Sequence, residues 1–564
     1  LHNQPPPAHR QAGLFNFMFI AVGIFALIIE ASGLTSIWER YPPVEGVVKN
    51  QIDHFRFTSS IRGNDVFDQK YLYFDGFWNN DNTTEDRSGP LLVYFGNEGK
   101  IEDFYNASGA IFEIAQELKA MVVFVEHRYY GQSLPFGNAS FSAQNLVYLT
   151  VEQALADMAV FLSQTPTLFQ CSSSSSSSSN AATSSSSLSS PCQSVLFGGS
   201  YGGMLAAWFR IKYPHLSRGA IAASAPVDTY LGENRAQQFL NATLHVYRRY
   251  GGDDDDDDAT VGEKCASLLE DALQLIPSLS NSSTGLRQIS KAMQTCEPLK
   301  TKNDADRTAF YALGSLATLA MLDYPYAADF VVPLPANPVK TACSVALERH
   351  VSLSTGPSSA RLLGALNAAI NVFVNSTGSL ECHNVSKELL GQEQPLRSLV
   401  AAANSNQNSK TNNNGSTPGL LGDISTLWNY QACAEMVLEP LTSDGLGFAI
   451  ETDSQVAGVV ERCRTRFRGL EPRIEWLRQS FGNGAQISQN ARNIVFSDGE
   501  KDPWRVGGVP ENAQELSPDN SVIHIFIEGA AHHQDLRSSD PRDSLALRKA
   551  RKVELENIKK WLGY

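Results

Sequence analysis

The sequence predicts an α/β fold: a mostly parallel sheet interrupted by a long helical insertion. Three observations carry this. Short apolar runs alternate with helical periodicities through the first half, two further runs of the same kind arrive only near the C-terminus, and the stretch between them is helical in pattern.

The early runs are Leu91–Phe95 (LLVYF), Met121–Val125 (MVVFV), Ser194–Phe197 (SVLF) and Ala220–Ala223 (AIAA). Each is short and apolar throughout, as expected of strands buried on both faces of a parallel sheet. Helical patterns at Glu152–Ser163 and Tyr201–Tyr213 separate them, and the late strands are Asn493–Phe496 (NIVF) and Val522–Ile527 (VIHIFI). The middle, 228–483, carries helical periodicities at Cys265–Leu275, Asp306–Leu322 and Arg361–Val374, few strand-like runs, and six of the eight cysteines. It reads as a helical cap domain, stapled internally and seated over the C-terminal ends of the strands, where α/β sheets bind ligands. The expected organisation is therefore an N-terminal segment 1–33, a sheet domain in two parts, 34–227 and 484–564, and the cap between them.

The N-terminal segment places His2, His9 and Arg10 before an apolar run from Phe17 to Ile29, followed by Ala31, Ser32 and Gly33. The run is shorter than the roughly 20 residues of a spanning helix, and the layout is that of a secretory signal peptide, or of a signal anchor if it is retained. No stable membrane insertion is expected unless it is retained. Eight Asn-x-Ser/Thr sequons, at Asn82, Asn106, Asn138, Asn241, Asn281, Asn375, Asn384 and Asn414, fit a secretory route. So do the eight cysteines, Cys171, Cys192, Cys265, Cys296, Cys343, Cys382, Cys433 and Cys463, an even set without CxxC spacing that reads as disulfides rather than zinc ligands. Cys171 and Cys192 bracket a serine tract, which makes them an attractive pair. The destination implied is extracellular, or a lysosome or vacuole.

Three low-complexity stretches, the serine-rich 172–190, the aspartate-rich 251–258 and the Asn/Ser-rich 404–416, cannot bury enough apolar surface to offset their ordering entropy and are expected as surface loops. The aspartate run lacks the alternating ligands and turn glycine of a calcium loop. A net charge of −14 excludes a general nucleic-acid binder, which needs clustered Lys and Arg.

The chemistry starts at Ser194-Val-Leu-Phe-Gly-Gly-Ser200-Tyr-Gly-Gly-Met. Gly198, Ser200 and Gly202 satisfy G-x-S-x-G between a predicted strand and a predicted helix, the context of a nucleophile on a tight turn in an α/β-hydrolase fold. A serine hydroxyl needs a base to take its proton and an acid to orient that base, and in this fold the chain order is Ser, then Asp or Glu, then His. The two late strands supply that order. One runs into Asp498-Gly-Glu500-Lys-Asp502-Pro-Trp504, the other into Gly529-Ala-Ala-His532-His533. Asp498 and Glu500 compete with Asp502, although an aspartate beside Gly499 is more often a local backbone cap; His533 competes with His532. No H-E-x-x-H or comparable cluster indicates a metal, and no cofactor is implied.

These segments resemble a known family. Gly198-Gly-Ser200-Tyr-Gly-Gly-Met-Leu-Ala-Ala-Trp-Phe-Arg-Ile-Lys-Tyr-Pro-His215 is similar to the nucleophile segment of the serine peptidases that include lysosomal prolyl (Pro-X) carboxypeptidase and dipeptidyl peptidase II. Gly96-Asn-Glu-Gly99, Glu126-His-Arg-Tyr-Tyr-Gly131, Asp323-Tyr-Pro-Tyr326, Pro333–Pro338, Trp428–Cys433, Asp502–Trp504 and His532–Arg537 extend the likeness from about residue 45 to the end. The resemblance implies a hydrolase fold with a disulfide-bonded helical insertion, peptide substrates cut after proline, and a possible homodimer. Position by position it makes Ser200 the nucleophile, Asp502 the acid and His532 the base. It puts the oxyanion hole at the Tyr201 amide and the Gly96, Asn97, Glu98 loop, and sets Trp504 against the proline ring.

Asp329 stands where dipeptidyl peptidase II has the aspartate that anchors a free α-amine, so the resemblance leans to release of N-terminal X-Pro dipeptides, with Pro-X carboxypeptidase activity as the alternative. Trp428–Cys433 followed by Ala434-Glu-Met-Val is equally close to the carboxypeptidase. A non-catalytic binding protein on the same scaffold is the remote alternative. The chain departs from the family at Asp498, where Asn is usual, at Lys501 and Gln534, where Leu is usual, and by an extra small residue among Gly529, Ala530 and Ala531.

Overall fold

Eight strands form one sheet in a computed structural model that describes residues 36–56, 65–78, 89–171, 192–228, 235–249, 256–385, 427–436, 453–467 and 469–564. In chain order the strands are β1 (Val44–Gln51), β2 (Val66–Phe74), β3 (Leu91–Phe95), β4 (Met121–Val125), β5 (Ser194–Gly199), β6 (Gly219–Ala223), β9 (Ile494–Gly499) and β10 (Val522–Ile527). A separate two-residue ribbon pairs β7 (Ala328–Asp329) with β8 (Pro333–Leu334). Spatial order is β1-β2-β4-β3-β5-β6-β9-β10. The first three of these pair antiparallel and every later neighbour is parallel. This is the α/β-hydrolase fold, and between β6 and β9 the described residues form a helical insertion.

Strands β3 to β6 are buried at every position, which is why their sequences are apolar runs rather than alternations. Helices Val151–Phe169 and Tyr201–Lys212 cover the sheet, and the core draws on Phe161, Met204, Leu205, Trp208 and Phe209 together with the strand residues. The insertion has its own core, built from helices Asp256–Leu279, Lys302–Met321, Pro338–Ser352 and Ser358–Val374 around Leu269, Leu316, Leu363 and Ile370. Cys265–Cys343, Cys296–Cys382 and Cys433–Cys463 lie wholly within the insertion; Cys171–Cys192 closes the serine tract, as its spacing suggested.

Strands β1 and β2 had no sequence expectation. Their pleats bury Asn50, Gln69 and Lys70, which break the apolar pattern but find partners: Asn50 Nδ2 donates to Gln69 Oε1, Gln69 donates to the Glu126 carbonyl at 2.7 Å, and Lys70 meets Glu102 at 2.7 Å, while Asn50 Oδ1 stays unbonded. The aspartate tract also differs from expectation in part, because Asp256–Asp258 open a helix rather than lying in a loop. Residues 1–35, the serine tract 172–190, the Asn/Ser tract 404–416 and 251–255 lie outside the described residues. Among the described residues, no helix is long and apolar enough to cross a membrane. Sequon residues Asn106, Asn138, Asn241 and Asn281 are exposed. Ile37–Arg40 forms a single helical turn capped by Ser36.

One buried ion pair fixes the β4 end of the sheet. The Arg128 guanidinium is fully buried and meets Asp157 through two nitrogens, at 2.6 and 2.7 Å, while its remaining donors reach the carbonyls of Gln51, Ile52 and Tyr148. Every charge-bearing atom has a partner, so loss of one side strands the other in a low dielectric. Asp157→Ala is expected to lower the unfolding free energy by about 3–5 kcal/mol, read as a reduced urea midpoint. A loss below about 1 kcal/mol would show that the guanidinium finds water instead.

Candidate active site

All of the candidate residues except Asp329 emerge at the C-terminal ends of parallel strands. Gly96–Gly99 follows β3, His127 follows β4, Ser200 follows β5, Asp502 follows β9 and His532 follows β10. Parallel strands end on one edge of a sheet, so these five loops, distant in sequence, meet there.

Ser200 sits at φ 57°, ψ −126°, a conformation an L-residue adopts only under constraint. Its amide donates to the Ala223 carbonyl at 2.9 Å, and the first helical bond runs from the Met204 amide to its own carbonyl at 3.0 Å. The flanking glycines permit this turn sterically. A Cβ on Gly198 would fall 2.1 Å from the Gly202 carbonyl oxygen, and one on Gly202 would fall 2.4 Å from the Asn97 side-chain oxygen. The strand-to-helix turn thus leaves the amides of the first helical turn, Tyr201 foremost, without intrahelical acceptors.

Asp502 and His532 are in contact: Nδ1 of the imidazole lies 2.6 Å from Oδ2 of the carboxylate, with both side chains buried. The other carboxylate oxygen accepts from the Trp504 amide at 3.0 Å. A carboxylate can only accept, so Nδ1 carries the proton and Nε2 is left as the basic nitrogen. The insertion holds the histidine backbone from both sides. Its amide donates to the Met321 carbonyl at 3.0 Å, and the Tyr324 hydroxyl donates to its carbonyl at 3.0 Å.

His533 is the competitor, and its surroundings differ. Burial, reinforced by His532 and Arg537, holds its imidazole well below the usual range and therefore neutral. Its amide donates to Ser224 Oγ at 2.8 Å, and its ring lies over Gly199, where a Cβ would come within 3.0 Å of it. The histidine pair and the Ser200 turn therefore share one corner.

Asp498 is not the local cap its sequence suggested. Its carboxylate meets His524 Nε2 at 3.0 Å, on the neighbouring strand, in a buried pair, and burial raises its pKa. Glu500 accepts from the Gly529 amide and from Arg249, at 2.9 and 2.8 Å. Both competitors of Asp502 are thereby occupied elsewhere. The departures Lys501 and Gln534 also find partners, Lys501 donating to Asp323 of the insertion at 2.9 Å and Gln534 accepting from the Ala531 amide at 2.9 Å.

The loop after β3 corrects one expectation. The Gly96 amide donates to the Val125 carbonyl at 2.9 Å, so it is spent in the sheet and does not face a substrate oxygen. Asn97 clips the loop to β5 by donating to the Gly199 carbonyl at 2.6 Å. Burial pushes the Glu98 carboxyl up, against its hydrogen bonds and the attraction of His532.

Around the corner stand aromatic walls. Trp504 packs against Phe239 of the insertion with ring centres 4.9 Å apart, and Trp428 packs edge-on against Tyr201 at 5.4 Å. Sequence reading assigned roles to Trp504 and Tyr201 only. Trp428 and Gln431 lay in a quoted motif block but carried no signal of which strand end they would meet. Asp329 is exposed on the β7–β8 ribbon, and the adjacent Phe330 ring contacts those of Phe104 and His533 at 6.0 and 5.7 Å. Among the described residues, no cluster of three or more His, Cys, Asp or Glu side chains is arranged to hold a metal ion.

A parallel sheet carrying a strained serine after β5 and a buried histidine–aspartate pair after β9 and β10 defines an α/β-hydrolase. The chain belongs to the serine carboxypeptidase S28 family of serine peptidases, which it matches over residues 50–554. It is 34% identical to lysosomal Pro-X carboxypeptidase of Bos taurus over 518 residues, 92% of this chain and 87% of that one, and 33% identical to the Homo sapiens protein of the same name over 544 residues, 96% and 92% of the two chains. The thymus-specific serine protease of Mus musculus is 25% identical over 524 residues, 92% and 88% of the two.

The buried His127 beside this corner gives a pH dependence. Burial is the main cause that lowers its pKa, to about 4, against a bond from Nδ1 to the Arg128 carbonyl at 2.6 Å. Unfolded, it takes a proton near pH 6.5. The stability it contributes is therefore complete above pH 6.5 and is lost as pH falls towards 4, on the order of 3 kcal/mol in all. His127→Asn is expected to flatten the decline of the urea midpoint between pH 6.5 and 4.5; a slope equal to that of the unmodified protein would remove His127 from the account.

Proposed function

We propose that the chain is an exopeptidase that cuts peptides after proline through Ser200, His532 and Asp502, and that it releases N-terminal X-Pro dipeptides. The observation that carries the nucleophilic chemistry is the Asp502–His532 contact at 2.6 Å, which sets the tautomer whose Nε2 takes a proton from serine. Ser200 Oγ attacks the carbonyl carbon of the proline residue, and its proton passes to Nε2. The tetrahedral oxyanion is held by the Tyr201 amide with the Asn97–Glu98 loop. The imidazolium then protonates the leaving amine. Water, deprotonated by the same nitrogen, hydrolyses the acyl-enzyme and frees Ser200. Proline is compact and apolar and lacks an N–H, so an aromatic pocket including Trp504 suits it without leaving a donor unpaired.

The choice of terminus rests on charge. Burial raises the Asp103 carboxyl on the helix Ile101–Ala107, against Lys100, and the neighbouring Glu102 and Asp329 carboxylates add to the rise, so Asp329 lies within electrostatic reach of Asp103. Carboxylates grouped near the Phe330 contact with His533 favour a free α-amine over a terminal carboxylate. The second reading is removal of a C-terminal residue after proline; the two relatives named Pro-X carboxypeptidase favour it. Their names also support a lysosomal destination.

Ser200→Ala should abolish turnover and labelling by a fluorophosphonate. Asp502→Asn should lower kcat about 10⁴-fold by mis-setting the imidazole; unchanged kcat would move the acid to another carboxylate. A reporter with a free amine, X-Pro-linked, should be cleaved far faster than an N-blocked peptide ending in Pro-X, and Asp329→Asn should narrow that gap. Preference for the blocked peptide would assign the C-terminal activity instead.

A further inference from the structure

We infer that Gln431, supplied by the helical insertion, is a positioning residue that sets the Tyr201 amide for oxyanion binding through the Tyr201 side chain. This rests on the proposed role of Ser200 and Tyr201.

The observations form a directed chain of hydrogen bonds. His127 Nδ1 lies 2.6 Å from the Arg128 carbonyl, which can only accept, so Nδ1 holds the proton. Nε2 of the neutral ring is then an acceptor, and the Tyr201 hydroxyl, 3.1 Å away, donates to it. That leaves the same hydroxyl oxygen to accept from Gln431 Nε2 at 2.9 Å. Gln431 Oε1 in turn accepts from the Tyr130 hydroxyl at 2.6 Å. All four side chains are buried, and Gln431 is fully so. At this position one side chain must accept from one phenol and donate to the other; a primary amide does both at every pH.

Tyr201 is the residue after the nucleophile at the start of a buried helix, and with its ring packed and its hydroxyl bonded at both sides its side-chain torsions are confined. Fixing the phenol at one end therefore limits where the amide at the other end points. The segment that brings Gln431 is itself anchored on both flanks. Cys433 bonds Cys463, Glu435 accepts from the Val151 amide at 2.6 Å and from Arg473 at 2.7 Å, and Arg473 reaches Glu152 through two nitrogens at 2.9 and 3.0 Å. Trp428 in the same segment packs on the Tyr201 ring. The anchors lie on both sides of the amide that needs to be held.

The test uses the full-length enzyme and its best proline reporter. Gln431→Met should lower kcat by about 10- to 100-fold, since an oxyanion donor that is displaced but not removed forfeits part of its usual 10²–10³, while KM changes less than about threefold. Gln431→Glu is the conservative rescue. Its protonated carboxyl reproduces the donor and the acceptor, its ionised form has lost the donor, and burial raises its pKa. Its kcat relative to the unmodified enzyme should be near unity at pH 5 and fall at least tenfold by pH 8. A ratio that is flat with pH, or a Gln431→Met enzyme with unchanged kcat, overturns the inference.

Should Gln431→Glu fail to fold, Tyr201→Phe and its double variant with Gln431→Met decide the matter. The double variant should be no slower than the slower single variant, because both cut the same chain; additive losses overturn the inference. Failure here with an inactive Ser200→Ala leaves the nucleophile assignment standing. An active Ser200→Ala removes that assignment first.

Discussion

The buried contact between Asp502 and His532 is the constraint on which the rest of the site depends. A carboxylate with no exposed surface is tolerated only when its oxygens are bonded, and here one oxygen takes the imidazole and the other takes the Trp504 amide. Both partners come from loops that follow adjacent parallel strands, β9 and β10, whose register pairs Val522 with Ile494 and Ile527 with Gly499. A slip in that register would move the loops apart. The sheet fixes the pair, and the pair fixes which nitrogen remains basic.

The insertion is not a lid laid over a finished site. It bonds the amide and the carbonyl of His532 through Met321 and Tyr324, holds Lys501 through Asp323, packs Phe239 on Trp504 and meets Tyr201 through Gln431. Its core even includes Ala531, the residue before His532. The three disulfides within it therefore bear on the site as well as on the fold. A cross-link lowers the entropy of the unfolded chain, and these stiffen the body that holds the histidine backbone in place.

Much of this was legible in the amino-acid sequence, for physical reasons that differ by element. Strands β3, β4 and β10 run residue for residue where their apolar runs placed them. Strands β3 and β4 are buried throughout and cannot carry polar residues without partners, whereas β10 is a partly buried edge strand marked by its β-branched run. Strands β5 and β9 run on past their apolar runs, β5 through Gly198 and Gly199 and β9 through Ser497, Asp498 and Gly499. Strands β1 and β2 were invisible, since Asn50, Gln69 and Lys70 find their partners on other segments and only the folded chain shows those bonds. Asp498 was misread for the same reason. Its partner His524 is 26 residues away on the next strand, and nothing local distinguishes a cross-strand pair from a turn cap.

That misreading bears on how far a departure from the family alters the site. Asn at position 498 would be neutral at every pH; an aspartate brings a charge beneath Asp502, and the two repel. The chain answers with His524, whose ring sits 3.0 Å from the added carboxylate, and burial raises the Asp498 pKa and so favours its neutral form. Both effects reduce the negative potential that Asp498 adds at Asp502. The extra charge is thus met within the scaffold, while the Asp502–His532 contact and its tautomer keep the arrangement that general-base chemistry requires. A charge added beside a buried carboxylate can be met in this way when the compensating partner lies on the adjoining strand of the same sheet, where it needs no ordering of its own.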